Sequence, residues 1–164
     1  MKRSLWLLTL GTLFTTLNLP VAGHDLLADW LGYLLFALGV MGLFPGEGRT
    51  PSNPALFAWL LAGTELVTAL LMPEGFFAAA ISTLFIALEV MLVLMVADAL
   101  FARQPHLSAR EKPLRLLGIG SALAFVLSLF APLGLITLVG MLLGVVFKLV
   151  FLLGVLVPAL RAEH

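Results

Sequence analysis

The sequence predicts an all-α integral membrane bundle of six transmembrane helices, with both termini on the cytoplasmic side. Three observations lead there. Of 164 residues, 62% are hydrophobic and 11% charged, against about 45–50% and about 25% in soluble domains. The apolar residues fall into long runs separated by short Pro-, Gly-, Ser- and Asn-containing stretches, which is the pattern of spanning helices, not of half-buried strands. The basic residues collect between alternate runs.

A span needs about 20 mostly apolar residues. The runs that qualify are residues 4–21, 26–44, 55–72, 76–97, 114–131 and 133–160, within one domain covering 1–164. The last two are divided only by Pro132 and Gly134. A single helix over 114–160 would be about 70 Å long, more than twice the hydrocarbon thickness of about 30 Å. It must fold back, and Pro132, which lacks the helical donor, marks the place. Met1-Lys2-Arg3, the apolar residues 5–17 and the small Ala22 and Gly23 share features with a secretory signal peptide. The charge distribution favours a retained first helix.

That distribution tests the span count. With the N-terminus inside, Lys2, Arg3, Arg49, Arg103, Arg110, Lys112, Arg115 and Arg161 all fall on the cytoplasmic side, as the positive-inside rule requires. Only Lys148 lies within a span. Five or seven helices would destroy the sorting. Trp6 and Trp59 fall near the inner boundary, and Trp30, Tyr33, Phe76 and Phe77 near the outer one, where aromatic belts form. Residues 45–54 and Pro73-Glu74-Gly75 are turn regions, and 100–113 is the one longer loop.

Several chemistries are excluded. Net charge is zero, so nucleic acid is not an expected partner. There is no cysteine, hence no thiol chemistry and no thiolate metal site. No Walker or dinucleotide glycine pattern occurs, nor a zinc-protease His-Glu-x-x-His. No cofactor is expected, and an enzyme is not the favoured class.

Three charges stand inside spans: Glu65, Glu89 and Lys148. Each costs about 2.5–3.5 kcal/mol at a bilayer centre even on insertion scales, and all three fall within about 5 Å of their spans' midpoints. Glu65 shares a face with Ala58, Ala62, Thr68 and Ala69, small residues that admit a neighbouring helix. Lys148 extends the ladder Gly140, Gly144 by one more i+4 step. Glu89 has a mixed face with Ala78, Ser82, Phe85 and Ile86. Two acids and one base at one depth leave an excess negative charge that an apolar interior does not tolerate. Either one glutamic acid keeps its proton, or a cation or substrate amine occupies the gap. The alternative is that the charges only fix which helices pack together.

A second polar group comprises Asn18, His24, Asp25 and Asp29 near the outer surface, with Asp25 and Asp29 as an entry point for a cation. No metal-ligand spacing is present there. Glycines 32, 39, 42, 63, 118, 120, 140, 144 and 154 read as helix-packing positions, through which a second copy or a membrane partner would also associate.

The segment Leu27-Ala28-Asp29-Trp30-Leu31-Gly32-Tyr33-Leu34-Leu35, preceded by Asn18 and followed by Gly39, resembles the Pro-Asp-aromatic-Ile-Gly-Tyr helix start of a loose group of small bacterial polytopic membrane proteins. Ala28 stands where that group has proline. The resemblance implies the bacterial inner membrane and brings no activity with it. Size and span number are also similar to the substrate-binding subunits of energy-coupling-factor vitamin transporters, whose motifs the chain lacks. The expected function is transport-related: binding of a proton, cation or small solute at Glu65, Glu89 and Lys148. The alternative is an accessory or assembly subunit that holds partners through its glycine faces and basic loop.

Overall fold

Six long helices follow one another along the chain, which is all-α among its described residues. The structure is a computed structural model that describes residues 1–17, 26–44, 53–71, 75–130 and 134–162, with the side chains of 17–29 and 68–79 outside the description. The helices are α1 Lys2–Leu17, α2 Leu26–Leu43, α3 Asn53–Leu71, α4 Gly75–Arg103, α5 Glu111–Phe130 and α6 Gly134–Phe151. Each coincides with one apolar run of the sequence. Three stretches, Ala80–Arg103, Pro105–Phe130 and Gly134–Arg161, are long and apolar enough to cross a membrane.

The longer loop expected at 100–113 is instead mostly helical. Helix α4 runs on to Arg103, and a 3-10 segment Pro105–Arg110 leads directly into α5. The reason is that this stretch has its own apolar face: Leu100, Phe101 and Leu107 are buried, which holds the backbone close to the bundle. Arg115 ties the junction, pairing with Asp98 of α4 at 2.9 Å and Glu111 at 3.1 Å. These half-exposed pairs contribute about 0–1 kcal/mol each.

Helix α6 passes through a proline without breaking. Leu152–Leu156 forms a π turn and Val157–Arg161 a last α turn. The Val157 N–H donates to Leu152 O, one residue further back than in an α-helix. A proline ring clashes with the carbonyl four residues earlier and removes one donor. The wider turn ahead of Pro158 accommodates both effects.

Neighbours in sequence are neighbours in space, and the end of the chain packs on α1, so the ring closes. Glycines set the closest contacts. Between α1 and α2, a Cβ on Gly11 would lie 2.6 Å from Phe36 N and 2.7 Å from Gly32 O. One on Gly39 would lie 2.8 Å from Leu8 N, and one on Gly42 would meet Ser4 Oγ. Between α5 and α6, Gly118 abuts Phe147, Gly144 faces Ser121 and Gly140 faces Ala124. Both pairs are therefore antiparallel. Gly63, by contrast, has nothing within 4 Å, so its reading as a packing position is corrected: it lies on an outward face.

The two ends of the bundle differ. Arg103 reaches Met1 Sδ and the Leu43 carbonyl, the Gln104 amide reaches Ala159 O, and Trp59 Nε1 contacts Met41 Sδ. The start of α1, α3 and α5 and the finish of α2, α4 and α6 thus share one end. Lys2, Arg3, Arg103, Arg110, Lys112, Arg115 and Arg161 all lie there. The half nearest this basic end is tightly filled by Leu5, Leu8, Val40, Leu43, Val96, Leu100, Phe151 and Val155, all at most 1% exposed.

Gly11→Ala is expected to lower stability by about 1–3 kcal/mol, because backbone on the facing helix cannot yield as a side chain does. Gly63→Ala is expected to be neutral or to stabilise by up to about 1 kcal/mol through helix propensity alone. Thermal unfolding of both purified variants in the same detergent checks the contrast.

Candidate functional site

Helix α4 carries a buried stripe through Val93, Val96, Ala97 and Leu100. Glu89 precedes Val93 by one turn and so faces the same interior. Helix α6 turns Lys148 inward beside the fully buried Phe147. The two side chains meet. Lys148 Nζ lies 2.8 Å from Glu89 Oε1, with side chains only 16% and 11% exposed.

Two further helices hold this pair in place. The Tyr33 hydroxyl of α2 donates to the same Glu89 oxygen at 2.9 Å. The ammonium also stands 6.0 Å from the centre of the Tyr33 ring, at the edge of cation–π range. The ring in turn packs edge-on against Phe85, with centroids 5.0 Å apart and planes at 89°. From α1, the Thr15 carbonyl accepts from Lys148 at 3.3 Å. That carbonyl belongs to α1, so the ammonium meets a backbone acceptor as well as the carboxylate.

The pair borders a cavity of about 540 Å³. Its walls come from all six helices, and Glu65 of α3, half-buried, is one of them. Ile81, Phe85, Phe125 and Met141 are among its apolar lining, and Ser82 and Ser121 add hydroxyls. These residues lie toward the start of α4 and α6 and the finish of α5, so the hollow occupies the half of the bundle remote from the basic end. On the other side of the pair lies a void of about 10 Å³, bordered by Thr12, Phe36, Leu61 and Val93 among others. It has room for about one water molecule. Thr12 Oγ1 is buried there without a protein partner. The cavity therefore ends in a charged floor.

Among the residues singled out by sequence, Glu89 and Lys148 are in direct contact, and Glu65 lines the same cavity. Asp25 lies outside the described residues. The backbone of Asp29 belongs to the first turn of α2, and its side chain is outside the description. Sequence reading missed Tyr33, taken for an outer belt residue. It is 7% exposed and points into the core. Its signal was available: it is the chain's single tyrosine, and a phenol in an apolar run needs an acceptor. Thr15 was missed for a different reason, since it acts through its backbone. Ser121, which donates to Gly140 O at 3.1 Å, was not singled out in the sequence.

Among the described residues no three His, Cys, Asp or Glu side chains group as metal ligands. The available groups are one ion pair, one further carboxylate, hydroxyls and aromatic faces. Comparisons with protein-family models, curated proteins and solved structures find nothing that matches the chain, so the site is read from its own chemistry.

Removing one member of the pair leaves a buried charge uncompensated, at a cost of about 3–5 kcal/mol, whereas replacing both with apolar groups is close to neutral. Lys148→Met and Glu89→Gln are each expected to be strongly destabilising, and the double variant to recover most of the loss. Unfolding midpoints of the three variants test the coupling, which strict additivity would refute.

Proposed function

We propose that this chain is a multi-pass protein of the bacterial cytoplasmic membrane, with both termini inside, that takes part in transport by binding a proton, cation or small solute at Glu65, Glu89 and Lys148. The membrane reading is supported by the bundle's outer surface. Leu116, Phe130 and Leu135 are 75%, 84% and 72% exposed, and a soluble monomer rarely displays such a face. The orientation is supported by the collection of Lys and Arg at one end, which the positive-inside rule assigns to the cytoplasm.

One observation carries the functional part: a hollow of about 540 Å³ in an otherwise packed bundle, bordered by two carboxyls and an ammonium. Lys148 and Glu89 lie about 20 Å along their helices from the basic end, which is near mid-membrane in the proposed orientation. Ionisable groups at that depth are costly, and pathways for ions and substrates are where they are retained. A subunit that only held partners together would be expected to be filled there. Cavity size falls in the range of small-molecule sites, about 300–1,000 Å³. In this orientation the hollow lies in the outer half of the membrane, and the packed inner half closes it from the cytoplasm.

Two measurements address this. The chain has no cysteine, so single substitutions at Ala109 and Ala162 can be labelled in intact cells. Both are expected to resist an impermeant maleimide until the cells are opened, and labelling from outside would reverse the topology. In proteoliposomes, a screen of ions, pH gradients and small solutes is expected to find one flux or ligand-dependent stabilisation that Glu65→Gln and Glu89→Gln each abolish. Variants that fold and match the wild type in every condition would end the transport reading.

A further inference from the structure

Three of the threonines on α1 return their hydroxyls to their own helix. Thr9 Oγ1 donates to Leu5 O at 2.7 Å, Thr15 Oγ1 to Thr12 O at 3.2 Å and Thr16 Oγ1 to Thr12 O at 2.6 Å. Such back-bonding to a carbonyl three or four residues earlier is the ordinary outlet of a helical threonine. Thr12 departs from it. The residue is 3% exposed, and its Oγ1 has no hydrogen-bond partner among the described residues. A hydroxyl taken out of water and left unbonded is costly, so its surroundings are expected to supply a partner.

The void of about 10 Å³ that Thr12 borders has an apolar wall of Phe36, Leu61 and Val93 and a polar wall of Thr12, Thr15, Tyr33, Glu89 and Lys148. Its volume suits one water molecule and no larger ligand. Voids that stay dry are lined by carbon, whereas water is held where two to four polar groups can bond it. Such groups are present with capacity left over. Lys148 has three N–H donors, and its contacts to Glu89 Oε1 and Thr15 O use two of them. A carboxylate has about four acceptor sites, and the contacts from Lys148 and Tyr33 both fall on Oε1 of Glu89. A hard metal ion does not suit the same space, since it would need about six oxygens and would stand beside the ammonium. We propose that the void binds one water molecule, which accepts from the Thr12 hydroxyl and the Lys148 ammonium and donates to the Glu89 carboxylate. This water ties a side chain of α1 into the contact that joins α4 and α6, and it hydrates the ion pair on the face turned away from the large cavity. It does so whatever that cavity binds.

The test uses purified full-length protein in nanodiscs. X-ray radiolysis turns bound water into hydroxyl radical in place, and mass spectrometry reads which side chains it hydroxylates. Phe36 is 6% exposed and borders the void but not the large cavity, whereas Phe151 is fully buried and borders neither. Phe36 is expected to be labelled above Phe151. Thr12→Val, which keeps the shape and removes the hydroxyl, is expected to lose that excess, and Thr12→Ser to keep it. Thr12→Val is also expected to unfold about 2–4 °C lower than the wild type. A hydroxyl with no partner gives the opposite sign, because valine then removes an unpaired polar group. The comparison of the two phenylalanines in the wild type stands even if a variant fails to fold. Equal labelling of Phe36 and Phe151, an excess that persists in Thr12→Val, or a raised midpoint for that variant overturns the water site.

Discussion

Two opposite charges brought into apolar surroundings repay their lost hydration only when they are close, well oriented and further hydrogen-bonded. The Glu89–Lys148 contact at 2.8 Å meets that condition with help from the Tyr33 hydroxyl and the Thr15 carbonyl. Those four groups come from α4, α6, α2 and α1, so one ionic contact constrains four helices at once. Helix α6 cannot rotate without stranding its lysine, and α4 cannot rotate without stranding its carboxylate. Non-directional apolar packing does not impose so specific a rotational register.

The rest of the bundle is arranged around this point in two unlike halves. Toward the basic end, fully buried aliphatic and aromatic side chains fill the space, and glycines let α1 lie directly on the backbone of α2. Away from that end lies the cavity, with a lining that includes aromatic rings, hydroxyls and a second carboxylate. A packed half resists deformation. The ion pair sits at the boundary, and both the solid and the hollow portions depend on its being satisfied.

Much of the architecture was legible in the chain. Six apolar runs became six helices because a run of about 20 apolar residues satisfies its own backbone only as a helix. The antiparallel return of α6 along α5 and the gathering of the described Lys and Arg at one end, Lys148 aside, were equally visible, while Pro132 itself lies outside the described residues. Where reading failed, it failed on contacts between distant segments. The stretch after Ala97 looked polar enough for a loop, yet Leu100, Phe101 and Leu107 bind it to the core. Gly63 looked like a packing glycine but faces outward, since a small residue permits close approach without requiring it. The π turn ahead of Pro158 accommodates the proline ring, a local adjustment that the reading of 133–160 as one span did not include.

The sequence by itself determined helix number, helix direction and the presence of three ionisable side chains at similar depth, because each follows from local composition, period and chain length. Only the tertiary structure decided that Lys148 engages Glu89, that Tyr33 joins them, and that Glu65 lines the cavity beside them. Partner choice depends on the rotation of each helix about its axis and on the distance between axes. Those quantities are set by the summed fit of side chains from all six helices, which no single segment encodes.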